Sequence, residues 1–267
     1  MLRPSWIEML VSSRMRVVAP LAAVVGAAGL AGKGALAAQS TPSTTTSDQD
    51  ARDLLDRAIA KMQDLQTYSF EFEAQHGEVQ LIPEVFTIHE LDGDVVRPDS
   101  FSAESEIEVL FVDIDLKIVT IGDDTWVTNP LVLVGSDNNM VRLGEIDFDH
   151  KYNPSYGVNP DHIALPLLGL LENPVIASTG ASTAGTQIDG TVTRDGLDSL
   201  GDVFKEATIS GFIADSLDEL QVSVWTDTED HVIRLDITGQ IFDRESAGIV
   251  RSYTFEDFND PITIDRP

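Results

Sequence analysis

The chain has no cysteine. Disulfides, thiolate metal ligands, cysteine nucleophiles and lipid attached through cysteine are therefore excluded. Positive charge is scarce: 17 Lys and Arg stand against 45 Asp and Glu, a formal net charge of −28. Binding to a phosphate backbone needs a surplus of Lys and Arg. The balance thus speaks against nucleic acid, and equally against charge-driven attraction to anionic lipid surfaces.

Catalytic and metal motifs are also lacking. The five histidines, His76, His89, His150, His162 and His231, form no H-E-x-x-H and no i,i+4 histidine pair, so zinc has no motif here. There is no glycine-rich phosphate loop with lysine and no G-x-G-x-x-G. Gly180–Ala184 (GASTA) imitates a nucleophile elbow but ends on alanine inside a Ser/Thr/Gly loop. The acidic pairs Asp92/Asp94, Asp113/Asp115, Asp123/Asp124 and Asp147/Asp149 lack the spacing of a calcium loop. They read as a solvated acidic face. No catalytic residue, cofactor or metal is expected, and the chain reads as a non-enzyme.

One long apolar run is present, Val17 to Gly32. Arg3, Arg14 and Arg16 precede it, and Ala35-Leu36-Ala37 follows as an A-x-A site. That order is a secretory signal, with cleavage expected between Ala37 and Ala38. Met15 offers an alternative start with a compact basic end. The other reading is a retained anchor, although the run is shorter than the ~20 residues of a span. Residues 1–37 are assigned as signal, and export to the cell envelope or medium follows. Residues 38–49 (AQSTPSTTTSDQ) carry no large apolar side chain and read as a flexible Ser/Thr-rich linker, either a tether or a tail.

The remaining 50–267 reads as one α+β domain. Leu54, Leu55, Ala58, Ile59, Met62 and Leu65 share one face of a helix from Asp48 to Leu65. The period then falls to two, with Tyr68, Phe70, Phe72 and Ala74 alternating with Ser69, Glu71, Glu73 and Gln75. Strands are predicted over 79–89, 101–111, 114–121 and 125–128, with turns at Asp92-Gly93 and Gly122-Asp123. After an irregular stretch, Asn159-Pro160 opens a segment that is apolar nearly all round: Ile163, Leu165, Leu167, Leu168, Leu170 and Leu171. It predicts a buried helix or a lid over apolar surface. A strand over 187–193, a helix over 194–204 and strands over 220–226, 231–239 and 249–258 complete the chain. Helices grouped against one face of an antiparallel meander are expected. That apolar face and the leucine segment either bury each other as an ordinary core or enclose a cavity for an apolar ligand.

Several segments carry a resemblance. Leu54-Leu55-Asp56-Arg57-Ala58 leads to Leu65-Gln66-Thr67-Tyr68-Ser69-Phe70. Asn153-Pro154-Ser155-Tyr156-Gly157 precedes the leucine segment. Ile188-Asp189-Gly190-Thr191-Val192-Thr193, Val224-Trp225-Thr226-Asp227 with Val232-Ile233-Arg234-Leu235, and Phe255 to Ile264 (FEDFNDPITI) follow in order. In order and spacing these resemble the LppX/LprA/LprF/LprG family of envelope lipoproteins, whose fold is related to LolA and LolB. The resemblance runs from about Asp50 to Pro267. It implies a curved antiparallel sheet, a half-barrel, with helices on its concave face enclosing an apolar cavity. It further implies non-enzymatic binding and transfer of an acylated lipid or glycolipid in the envelope, by a monomer, with a membrane lipid exporter as a candidate partner. Expected lining residues are Phe70, Phe72, Ile107, Val109, Phe111, Leu116, Ile118, Leu167, Leu168, Leu171, Ile233 and Leu235. The sequence departs from the family at the lipobox: Leu30-Ala31-Gly32 is followed by Lys33 where cysteine should stand. Diacylglycerol attachment is excluded at that position.

Overall fold

The computed structural model describes residues 48–82, 86–109, 112–128, 140–142, 155–177, 185–199, 219–241 and 245–267. The signal and linker assignments, apart from the end of the linker, lie outside these residues. Helix α1 (Asp48–Asp64) matches its predicted span. Asp48 and Asp50 in its first turn and Lys61 in its last complement the helix dipole. Ala51, Leu54, Leu55, Ala58 and Met62 are its buried stripe.

The strands are β1 (Thr67–Gln75), β2 (Val79–Ile82), β3 (Phe86–Ile88), β4 (Glu90–Val96), β5 (Ser100–Val109), β6 (Val112–Ile121), β7 (Asp124–Thr128), β8 (Met140–Arg142), β9 (Glu172–Ile176), β10 (Thr186–Thr193), β11 (Glu219–Thr226), β12 (Val232–Thr238) and β13 (Val250–Glu256). Three short helices complete the described elements: α2 (Ser155–Val158), α3 (Ala164–Leu168) and α4 (Arg194–Ser199). Eleven strands form one open sheet in the order β8-β7-β6-β5-β4-β1-β13-β12-β11-β10-β9, with every pairing antiparallel. Strands β2 and β3 form a separate hairpin. Two meanders are thus joined where β1 pairs with β13, from Ser69↔Glu256 to Gln75↔Val250.

The sheet has one apolar and one polar face, as period-two sequence dictates. Tyr68, Phe70, Phe72 and Ala74 of β1 are buried, and Glu71 and Glu73 are exposed. Helix α1 packs on β9 and β12, α2 on β6 and α4 on β10. Their apolar residues join Phe70, Leu116, Ile118, Leu235 and Tyr253 in one buried cluster. Among the described residues, no helix is long and apolar enough to cross a membrane.

Three expectations are corrected. The predicted strand 79–89 is the hairpin β2–β3, and β4 starts just after it. Asp92-Gly93 is not a turn but the middle of β4, where Gly93 lies opposite Phe70. A Cβ at Gly93 would sit 2.6 Å from the Phe70 ring and 2.7 Å from the Ser102 carbonyl oxygen, so the glycine makes room for an aromatic side chain and the neighbouring strand's backbone rather than for a turn. Ile233 does not follow the alternation of β12. The pairing slips between Trp225↔Arg234 and Thr226↔Val232, so Val232 takes the core position and Ile233 is left half-buried.

Gly93→Ala tests this packing. The added methyl group should displace the Phe70 ring and cost about 1–3 kcal/mol, as overpacking does. A lower urea midpoint with unchanged slope is expected; an unchanged midpoint would contradict this close packing.

Candidate functional site

The polar face of the sheet carries an open groove of about 750 Å³ across β13, β1, β4, β5 and β6. Glu71, Glu73, Glu90, Asp92, Glu104 and Asp115 line it, with Lys117 and Arg234 as the cations. Lys117 pairs with Glu104, and Arg234 forms a two-pronged pair with Asp236 at 2.9 Å. These carboxylates are solvated, in keeping with the acidic outer face read from the sequence. Among the described residues, no three His, Asp or Glu side chains converge to hold a metal ion.

The opposite face is apolar and covered. Asn159 accepts the Asp161 N–H through its side chain at 3.0 Å and closes a turn ahead of α3. From α3, Ala164, Leu167 and Leu168 point into the core, and Leu171 follows. Gly169 terminates this short helix. An open cleft of about 440 Å³ runs between α1 and α3, lined by Ile59, Met62, Gln63, Leu165, Pro166 and Leu168. Arg97 and Asp161 close one side of it. A second cleft, of about 280 Å³, reaches Asp161 from the β4–β5 corner, past Pro98, Phe101 and His162.

Arg97 and Asp161 are the polar centre of this face. Arg97 Nε donates to Asp161 Oδ2 at 2.8 Å, and Nη2 to Oδ1 at 2.5 Å. Tyr68 Oη donates to the same Oδ1 at 2.7 Å. The other side of the guanidinium donates through Nη1 to the carbonyls of Met62 and of Leu65, the latter at 3.0 Å. Those carbonyls lie at the end of α1, where no intrahelical donor remains for them. The guanidinium also lies 5.3 Å from the Tyr68 ring centroid. A bidentate arginine–carboxylate pair is a strong charge-assisted contact. Farther along, Arg52 Nη2 donates to Leu171 O at 2.5 Å. The segment from Asn159 to Leu171 is thus fastened to the α1 side by one arginine near each end.

Of the expected lining residues, Phe70, Phe72, Leu116, Ile118, Leu167, Leu168, Leu171 and Leu235 all lie in the buried cluster. Leu168 also borders the cleft against α1. Ile107 and Val109 fall on β5 with their side chains outside the described residues, and Phe111 lies outside them altogether. The Arg97–Asp161–Tyr68 contact was missed by the sequence reading. Its one signal was an arginine between Val96 and Pro98 in a chain poor in basic residues.

No protein-family model and no curated protein sequence matches the chain. Solved structures do. Lipoprotein LppX of Mycobacterium tuberculosis superposes with a TM-score of 0.51 at 16% identity, over 82% of this chain and 100% of that one. LprF of Mycobacterium bovis gives 0.52 at 14% identity, over 82% and 97%. The chain has the LppX/LprF fold. A LolA superfamily protein from Nitrosomonas europaea aligns over 81% of this chain and 94% of its own, at 11% identity with a TM-score of only 0.26. The LppX/LprF likeness gives the open sheet and its helical cover a known architecture, and the Arg97–Asp161 pair sits at the edge of that cover.

Burial holds the Tyr68 hydroxyl well above its ordinary pKa, and the neighbouring Asp161 carboxylate adds to the shift. Burial raises Tyr253 as well. Above about pH 10 the unfolded chain gives up these protons while the folded chain keeps them. Stability therefore falls as pH rises through that range. Two of the four tyrosines should ionise only as the protein unfolds, in an ultraviolet tyrosinate titration followed alongside circular dichroism. Tyr68→Phe should make the alkaline limb shallower. Smooth ionisation of all four tyrosines in the folded protein would contradict this burial.

Proposed function

We propose that the protein is a non-enzymatic carrier that binds an acylated lipid or glycolipid outside the cytoplasm. The observation that carries this reading is the LppX/LprF architecture with its apolar sheet face under a leucine-rich cover. Acyl chains would lie between that face and the cover, against Phe70, Phe72, Leu116, Ile118, Leu167, Leu168, Leu171 and Leu235. Removing a CH₂ from water is worth about 0.8 kcal/mol, so a long chain needs few polar contacts to bind. The signal-like N-terminus supports export. The missing lipobox cysteine means that the carrier is released or held by its uncleaved apolar run. It acts as a monomer, and a membrane lipid exporter is a fitting donor or acceptor of the cargo.

A second reading has an observation of its own. The described core is closely covered: Leu55, Ile118, Leu167, Ile188 and Leu235 are all 0% exposed. A tethered envelope module with a filled core would look the same.

Mass spectrometry separates the two. The mature protein would be made in a host with an envelope, purified gently, and weighed under native and denaturing conditions. The carrier reading expects a stoichiometric adduct that denaturation removes and organic extraction identifies as an acyl lipid. A bare native mass that takes up no added acyl lipid would favour the filled core.

A further inference from the structure

We propose that Arg97 and Tyr68 form a binding site for the carboxylate of an aliphatic chain, a site that Asp161 now fills from within the protein. This rests on the lipid-binding reading and names a class of ligand for it.

The donors are arranged around a carboxylate. Arg97 Nε and Nη2 present a side-on fork, and Tyr68 Oη adds a third donor. The fork does not depend on Asp161 for its position. Nη1 is held independently by the Met62 and Leu65 carbonyls, and the Tyr68 ring lies against the guanidinium. With Asp161 withdrawn, the same three donors would still face the positions of two carboxylate oxygens. The chemistry favours a carboxylate, because the group they already hold is one, bound through both oxygens.

The surroundings supply the aliphatic part. Arg97 and Asp161 border the cleft whose other walls are Ile59, Met62, Leu165, Pro166 and Leu168, with Gln63 as the one further polar side chain. An acidic head beside an apolar channel describes a fatty acid or the carboxylate end of an acylated lipid. Arg97 and Asp161 are 17% and 22% exposed, so the pair is shielded yet reachable from the cleft. The general acidity of the protein does not bar such an anion. Charges beyond the ~8 Å Debye length are screened at physiological salt, whereas the fork acts at contact.

Exchange at this site would also move the cover. Asp161 lies in the turn leading into α3, and its N–H bonds locally, to the Asn159 side chain. An incoming carboxylate that takes the fork releases Asp161 and with it one of the two arginine fastenings of the Asn159–Leu171 segment. The internal carboxylate thus acts as a competitor that the ligand must displace, and displacement loosens the lid.

The test compares dodecanoate with dodecanol, which shares its chain and lacks its charge, on delipidated protein by calorimetry. The readout is the ratio of the two affinities. Asp161→Asn should raise the ratio about tenfold or more, and Arg97→Gln should lower it by a similar factor. Arg97→Lys, which keeps the charge and loses the fork, should also lower it, and serves if the glutamine variant fails to fold. Acetate should not compete. A ratio unchanged in Asp161→Asn while dodecanol still binds would overturn the site and leave the lipid reading standing. Equal competition by acetate would overturn the aliphatic class. Binding of neither amphiphile to any folded variant would remove both the site and the lipid reading.

Discussion

The pairing of β1 with β13 holds two otherwise separate meanders in one sheet. Strands β4 to β8 extend from one side of it and β12 to β9 from the other. The contact is aromatic as well as hydrogen-bonded. Phe72 and Tyr253 have ring centroids 5.0 Å apart, Tyr68 and Phe255 5.9 Å, and Phe70 and Tyr253 6.4 Å. The tail of the chain reinforces the seam: Asn259 N–H donates to Thr67 O at 2.9 Å, and Thr67 Oγ1 donates to Asp260 O at 2.7 Å. Forming this seam closes nearly the whole domain into a loop. The entropy of that closure grows only slowly with length, but such non-local pairing is slow to form.

Everything on the apolar face hangs from that seam. Tyr68 is the second residue of β1, so the strand that unites the sheet also places a phenol under Asp161. Arg97 follows the end of β4, the partner of β1, and its N–H donates to Gln66 O at 2.8 Å. The central strands thereby fix the donors, and the cover brings the carboxylate to them. Burying an ion pair is costly unless its geometry is good and its remaining donors are satisfied. Both conditions hold here, which gives the cover a defined position where apolar contacts alone would permit several.

The elements were largely legible in the sequence because one face is wet and one dry. Alternation located β1 and β6, and the 3.6 period located α1. The leucine segment was read as a helix or lid, and α3 is a short helix inside it. What misled was local chemistry serving a distant partner. Gly93 reads as a turn until Phe70 is seen above it. The slip that moves Ile233 out of the core depends on the opposing strand, which the sequence of β12 does not contain. Arg97 and Asp161 are separated by 64 positions, and neither has a local pattern that announces the other. Pairings of that kind arise from topology, and periodicity carries no trace of them.

The Asn159–Leu171 cover is a separately fastened part of the domain, held at one end by the Arg97–Asp161 pair. Hydrogen–deuterium exchange of the wild type and of Asp161→Asn, resolved by peptide, addresses it most directly. Faster exchange is expected in residues 159–171 and at the end of α1, with β1 and β13 as protected as before. Equal loss of protection across β1, β13 and the cover, or no change in the cover at all, would contradict it.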